Sequence, residues 1–390
     1  MQKTVHIIIY NYLPLFKDGR VNRTQYLIEY LLKEFNYKIR VYTLGLINDK
    51  ITISDNYVIH QIRSKGIRLM LGSENLQNKK PVPSKLKNLI KQFLILDIFF
   101  FQFINIYKCV KSYLKQDDIV YLSVPWFSAL LNLLWLKSNQ NIVVDYRDAL
   151  VDNPIFSRNN FQNSLHRYIE KILLRKASEI LITTPSARSK FRKDRTNLVR
   201  NGVSNRELTL IRKSKKASNK RSKKDFIYFG SIGNKRKAPE LFSYFNEVKL
   251  DYEIYGAVDQ QHKMIIKNKF KGFLDISHLY RKIYDFRSVL VIILPDEDSE
   301  NAIPGKVYQI IATGVPILLY SDRKSATKKF LESINYVFLF MDCEKNFKNN
   351  LDLCNLINSL PTVTNFKNIV KRESEYGKIK IFNEKDRKLL

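Results

Sequence analysis

An α/β fold of two Rossmann-like domains facing across a cleft is the architecture this sequence predicts, and three observations carry it. Short β-rich apolar runs alternate with helical lengths in both halves of the chain. The alternation stops at a Lys/Ser-rich run, 213–224, and then restarts. With 390 residues, 45% of them hydrophobic, the chain is large enough for two cores rather than one.

The first half opens with Val5-His6-Ile7-Ile8-Ile9-Tyr10, a strand-like run. A helical pattern through Gln25 to Phe35 and a strand at Lys38 to Leu44 complete a βαβ unit. Asp118 to Leu122, Ile142 to Asp145 and Ile180 to Thr183 extend a parallel sheet. The run Lys213 to Lys224 reads as a solvated linker or loop, with contact to an anionic membrane as its functional alternative. Asp225 to Gly230 is then a strand ending in glycine, followed by a helix at Pro239 to Val248 and a strand at Asp251 to Tyr255. A helix at His278 to Phe286, a strand at Val289 to Leu294, a helix at Lys306 to Ala312 and a strand at Pro316 to Tyr320 follow. The domains are accordingly placed at 1–203 and 204–365. Open α/β sheets bind ligands beyond the carboxyl ends of their strands, which directs attention to the loops there.

Charge narrows the partners. Lys and Arg total 67 against 37 Asp and Glu, a formal charge of +30 that suits nucleic acid, anionic lipid or phosphorylated substrates. No zinc-ligand spacing, aromatic-basic strand motif or helix-turn-helix signal accompanies it, so no nucleic-acid partner is expected. Cys109, Cys343 and Cys354 are too few and too scattered for a disulfide framework, and a reducing compartment fits. The first strand lacks the apolar core and cleavage site of a signal peptide, which predicts a cytoplasmic protein. Phe93 to Tyr107 is interrupted by Asp97, Gln102 and Asn105 and falls short of the roughly 20 residues a membrane span needs. Its flanking lysines (Lys85, Lys87, Lys91, Lys108, Lys111, Lys115) allow an interfacial helix, but a core helix is the favoured reading.

Two blocks in the second half carry a family resemblance. From Gly230 the chain reads Gly-Ser-Ile-Gly-Asn-Lys-Arg-Lys-Ala. From Asn301 it reads Asn-Ala-Ile-Pro-Gly-Lys-Val-Tyr-Gln-Ile-Ile-Ala-Thr-Gly-Val-Pro-Ile. These resemble the donor-site blocks of GT-B glycosyltransferases of the GT4-like type, which act in bacterial surface-polysaccharide and lipopolysaccharide assembly. Pro304, Lys306, Ala312, Gly314 and Pro316 match in order, with weaker matches at Asn201-Gly202-Val203, Gly272, Asp145-Tyr146-Arg147-Asp148 and Asp18-Gly19-Arg20. The resemblance implies transfer of a sugar from a nucleotide-diphosphate sugar to a saccharide or lipid-linked saccharide, with no cofactor and no metal. It also implies that the tail, 366–390, returns to the first domain as a helix, and that the enzyme works at the inner face of the plasma membrane.

The residues support this chemistry on their own terms. Breaking the glycosidic bond leaves negative charge on the diphosphate, and fixed cations and helix N-termini aimed there lower the barrier. Arg236, Lys237 and Lys306 are the candidate cations, with Gly230, Ser231 and Pro304 shaping the backbone around the phosphates. Gly19 and Arg20 are candidates for a phosphate or acceptor loop in the first domain. Gln309 stands where the family carries a ribose-binding Glu, and Asn301 where it carries a second Glu, while Ser231 replaces an arginine. An amide hydrogen-bonds to hydroxyls but cannot support positive charge as a carboxylate does, and the neighbouring Glu300 is a candidate replacement. Asp148, and after it Asp145, are the candidate acceptor-binding or base residues, against a structural alternative in which Arg147 ties both into a salt-bridged loop. Two rival readings stand beside this one. Asp296 and Asp298 after a strand would hold a divalent metal in a GT-A-type transferase, and the amides at Asn301 and Gln309 would suit a nucleotide-sugar-binding protein with impaired catalysis.

Overall fold

The computed structural model describes residues 2–10, 12, 19–35, 37–64, 99, 102–124, 126–146, 160–191, 193–217, 224–233, 238–294, 299–300, 303–344, 353–361 and 369–383. The chain forms two compact units, Met1–Val199 with Tyr376–Leu390, and Arg200–Glu375.

In the first unit, strands β1 (Thr4–Ile8), β2 (Lys38–Gly45), β3 (Asp49–Ser54), β4 (Tyr57–Arg63), β5 (Ile119–Ser123), β6 (Asn141–Tyr146), β7 (Glu179–Ile182) and β8 (Thr196–Leu198) form one sheet. Its order among the described residues is β3-β4-β2-β1-β5-β6-β7-β8. Every pairing is parallel except β3 with β4. The central strands are buried on both faces, which is why β1 and β5 are predominantly apolar, with His6 in β1 buried against Asp118. Helices α1 (Gly19–Glu34), α2 (Gln102–Lys111) and α3 (Asn160–Leu174) accompany the sheet. The β3–β4 hairpin is absent from the sequence reading because β3 is an edge strand, largely exposed, with no apolar run to announce it. Helix α2 takes up the end of the Phe93–Tyr107 stretch and buries Phe103, Ile106 and Val110 in the core, as a core helix should. The rest of that stretch, apart from Phe99, lies outside the described residues.

In the second unit, β9 (Lys224–Phe229), β10 (Tyr252–Tyr255), β11 (Phe286–Ile292), β12 (Ile317–Ser321) and β13 (Phe338–Asp342) form a parallel sheet in the order β10-β9-β11-β12-β13. Period-two alternation divides its side chains between two apolar clusters. Ile227, Val289, Val291 and Ile317 lie in one; Phe226, Tyr228, Leu290 and Leu318 lie in the other. Helices α4 (Asn205–Lys216), α5 (Pro239–Glu247), α6 (Gln260–Ile266), α7 (Ile276–Ile283), α8 (Gly305–Thr313), α9 (Ala326–Ser333), α10 (Leu353–Ser359) and α11 (Arg372–Tyr376) complete the unit. Ser204 and Glu207 start α4 with a reciprocal capping box. The helix runs on to Lys216, so the lysine-rich run begins as helix, with Ser214 buried, rather than as a linker. Residues 218–223 of that run lie outside the described residues.

The units divide between Val199 and Arg200, not after Val203, and the tail joining the first unit starts at Tyr376, not at 366. The reason is local. Val203 N–H donates to the Val370 carbonyl (3.0 Å) and Arg372 N–H to the Val203 carbonyl (3.1 Å), strapping both segments to the second unit. Past that strap, Tyr376, Ile379 and Phe382 are buried in the first unit's core. The Glu179 carboxylate accepts the N–H groups of Lys380 and Ile381 at 3.2 Å, capping the short α12 (Lys380–Asn383). Among the described residues no helix is long and apolar enough to cross a membrane.

Candidate functional site

The carboxyl end of β9 is where the second unit gathers its candidate residues. The chain leaves the strand at Gly230, whose φ of +128° is a conformation that a side chain would strain. Gly230 N–H donates to the Tyr255 carbonyl (3.0 Å), which brings in the end of β10. There Gly256, φ +123°, packs so closely that a Cβ on it would lie 2.2 Å from the Gly230 carbonyl oxygen. Gly256 N–H in turn donates to the Gly272 carbonyl (2.7 Å), so three glycine-bearing turns meet at one edge of the sheet. Gly272, matched in the sequence reading, therefore belongs to this edge.

Lys306, in the first turn of α8, reaches the same place. Its Nζ donates to the Phe229 carbonyl (3.2 Å) and lies 4.3 Å from the centre of the Tyr228 ring. A Cβ at Gly230 would be 3.7 Å from it. Tyr228 completes the turn by donating its hydroxyl to the Ser231 carbonyl (2.8 Å). Pro304 stands at the N-cap of α8 with no side-chain cap, so the helix opens on backbone N–H groups beside an ammonium, the combination that receives anions. Sequence reasoning missed Tyr228 and Gly256. Glycine directly after a strand, at both 230 and 256, was the available signal.

Gln309, one turn further along α8, donates its amide nitrogen to Glu207 Oε1 (2.8 Å). Glu300 is exposed and follows Ser299, which is anchored by its hydroxyl to Asp322 (2.9 Å) and by its carbonyl to the Ala326 N–H (2.8 Å). Arg236, Lys237 and Asn301 lie outside the described residues. So do Asp296 and Asp298, and among the described residues no cluster of His, Cys, Asp or Glu is arranged to hold a metal ion.

In the first unit, Asp145 departs from its sequence assignment. It is 0% exposed near the end of β6, and Arg23 of α1 grips it with Nε at 3.0 and 3.2 Å and Nη2 at 2.9 Å. A second donation from Arg23 goes to the Val199 carbonyl (3.1 Å). Burial alone would lower the guanidinium's hold on its proton, but the Asp145 carboxylate raises it above the ordinary arginine value. A carboxylate so enclosed and gripped by Arg23 is part of a structural ion pair, not a base open to an acceptor. Asp148 and Arg147 lie outside the described residues. Gly19 and Arg20 form the opening of α1 rather than a loop before it.

No protein-family model matches the chain. No curated protein matches it either. Solved structures do. Sucrose-phosphate synthase from Thermosynechococcus elongatus superposes with a TM-score of 0.62 at 13% identity, over 100% of this chain and 98% of that one. HepE from Anabaena, solved in complex with UDP and glucose, gives 0.54 at 11% identity over 100% and 99%. A UDP-forming α,α-trehalose-phosphate synthase from Burkholderia xenovorans gives 0.55 at 10% identity over 98% and 97%. The fold is GT-B. Coverage from end to end means both parallel-sheet units share this likeness, and identities this low speak to the GT-B architecture alone.

Proposed function

We propose that this protein is a glycosyltransferase that takes a sugar from a nucleotide-diphosphate sugar bound by its second unit. The observation that carries the reading is Lys306 Nζ, held at the Gly230 turn beside the uncapped N-terminus of α8. When the bond between the anomeric carbon and the diphosphate oxygen breaks, the electron pair stays on that oxygen. An ammonium and helix N–H groups already in place stabilise it without reorganisation. Arg236 and Lys237, which follow Gly230 in the sequence, are the further candidate cations, and Pro304, Ser231, Glu300 and Asn301 the other candidate donor-binding residues. Gln309 meets the ribose. The structural neighbours support the reading through their ligands: HepE was solved with UDP and glucose, and the trehalose-phosphate synthase is UDP-forming.

The acceptor in this proposal is a saccharide or lipid-linked saccharide of surface-polysaccharide synthesis, held by the first unit beside Gly19, Arg20 and Asp148. The formal charge of +30 favours a phosphorylated acceptor and contact with anionic lipid at the cytoplasmic face of the membrane. Transfer is proposed to need no metal and no cofactor. A thermal-shift screen of nucleoside diphosphates and their sugars tests the donor site, because a ligand selective for the folded state raises its melting temperature. One nucleotide series is expected to stabilise the protein, and Lys306→Ala is expected to reduce that shift while the unliganded melt stays within a few degrees. No stabilisation by any nucleotide, or an unchanged shift in the variant, overturns the proposal. Transfer lost on adding chelator, and on changing Asp296 and Asp298 to Asn, would put a metal in its place. Nucleotide binding with neither transfer nor donor hydrolysis would make the chain a binding protein.

A further inference from the structure

In the nucleotide site proposed above, Gln309 stands where the family resemblance implies a carboxylate that accepts hydrogen bonds from ribose hydroxyls. An amide is ambiguous there, since it presents an acceptor or a donor depending on which way it is turned. The second unit removes the ambiguity. Glu207 Oε1 lies 2.8 Å from the Gln309 amide nitrogen, and a carboxylate offers only acceptor atoms, so the amide must turn its NH2 inward.

The carboxylate is itself fixed. Glu207 is 4% exposed, and its Oε2 accepts the Ser204 N–H (2.9 Å) and the Ser204 hydroxyl (3.0 Å), with Arg372 Nη2 at 3.8 Å. Arg372 is held in turn by its own donation to the Gly202 carbonyl. What the amide turns away from Glu207 is its carbonyl oxygen. Among the described residues Gln309 Oε1 meets no donor, and it is not one of the buried side-chain atoms left unsatisfied. Gln309 follows Lys306 by three residues on α8, so it shares the helix face that meets the Gly230 turn.

We infer that Glu207 is a positioning residue for nucleotide recognition: by holding the amide nitrogen of Gln309 it makes a glutamine present an acceptor to a ribose hydroxyl, as a carboxylate would. The inference rests on the proposed nucleotide site and adds a residue from α4, outside both sequence blocks that resemble a donor site. The acceptor so presented is neutral, and a neutral hydrogen bond is roughly half as strong as a charge-assisted one.

Isothermal titration of the full chain tests this. The probes are the nucleoside diphosphate that stabilises the protein most and its 2′-deoxy-2′-fluoro and 3′-deoxy-3′-fluoro counterparts, whose fluorine cannot donate a hydrogen bond to the Gln309 oxygen. The wild type is expected to prefer the ribonucleotide over one deoxyfluoro form by roughly three- to tenfold, the worth of one neutral hydrogen bond. In Glu207→Gln, the Ser204 N–H claims the new carbonyl, the new NH2 faces Gln309, and the Gln309 amide must reverse. That preference is expected to fall to within about twofold of unity, while affinity for inorganic pyrophosphate, which reads Lys306, stays the same. Should that variant not fold, Glu207→Asp, which keeps the charge and withdraws the carboxylate by one methylene, carries the same expectation. A ribo/deoxyfluoro preference equal to wild type in a folded Glu207 variant overturns the inference and leaves the nucleotide site standing. Failure of the wild type to bind any nucleoside diphosphate overturns both.

Discussion

The two units treat charge differently at the carboxyl ends of their central strands. In the first, Asp145, next to the last residue of β6, is enclosed and gripped by Arg23, so the two opposite charges meet inside the protein. In the second, β9 gives way to Gly230, a residue with no side chain, and half-buried Lys306 from α8 reaches it with its ammonium against a carbonyl and a ring. A charge bound by its opposite holds a fold together. The Lys306 ammonium is placed at the Gly230 turn against a carbonyl dipole and an aromatic face, where an anionic ligand would meet it. The difference is what separates Asp145, which the sequence offers as a catalytic carboxylate, from Lys306, which it offers as a phosphate ligand.

The comparison breaks most sharply at Arg23. Arg23→Met takes the Arg23 cation away from buried Asp145, and stripping one partner from a buried pair costs about 3–5 kcal/mol. Urea unfolding followed by circular dichroism should show that loss, and a variant as stable as wild type would mean the pair is not structural. Next comes Gly256→Ala, which forces a Cβ to within 2.2 Å of the Gly230 carbonyl at a φ of +123°. The strained backbone alone costs about 1–3 kcal/mol. The Gly230 turn must shift, so nucleotide affinity is expected to fall along with the melting temperature. Lys306→Ala, by contrast, should lower nucleotide affinity roughly ten- to hundredfold, the worth of a charge-assisted contact, with little change in urea midpoint. Those two variants exchange roles if the comparison is wrong.

A smaller effect comes from His60 in the first unit, stacked on Tyr42 with ring centres 5.1 Å apart and 3.3 Å from an Arg40 guanidinium nitrogen. Burial first, then the charges of Arg40 and Lys50, depress its pKa to about 4, below the unfolded value near 6.5. The unfolded chain therefore takes up the proton more readily. His60's contribution is complete above about pH 6.5 and is lost as pH falls toward about 4. Thermal melts between pH 7.5 and 4 should show a shallower acid decline in His60→Asn than in wild type, and parallel curves would remove His60 from the account.

Much of this molecule was legible before its coordinates. The strands at Thr4–Ile8, Ile119–Ser123 and Phe286–Ile292 are mostly apolar because they are largely buried, and that pattern is written locally. Glycine after a strand marked the turn at Gly230, and a lysine opening a helix marked Lys306. The β3–β4 hairpin escaped because an exposed edge strand needs no apolar run, and the helical start of the lysine-rich run escaped because charge was read before the Ser204-Glu207 cap.

Sequence alone therefore determined the periodicity of two parallel-sheet units and the residue types at the ends of their strands, since burial and backbone conformation act on neighbours along the chain. Which charges cancel was decided only in three dimensions. Arg23 and Asp145 are 122 residues apart, and Gln309 and Glu207 are 102 apart, so no local pattern announces either pair. Folding brings them together because a buried charge or amide costs too much without a partner, and that partner is whichever group the packed elements deliver.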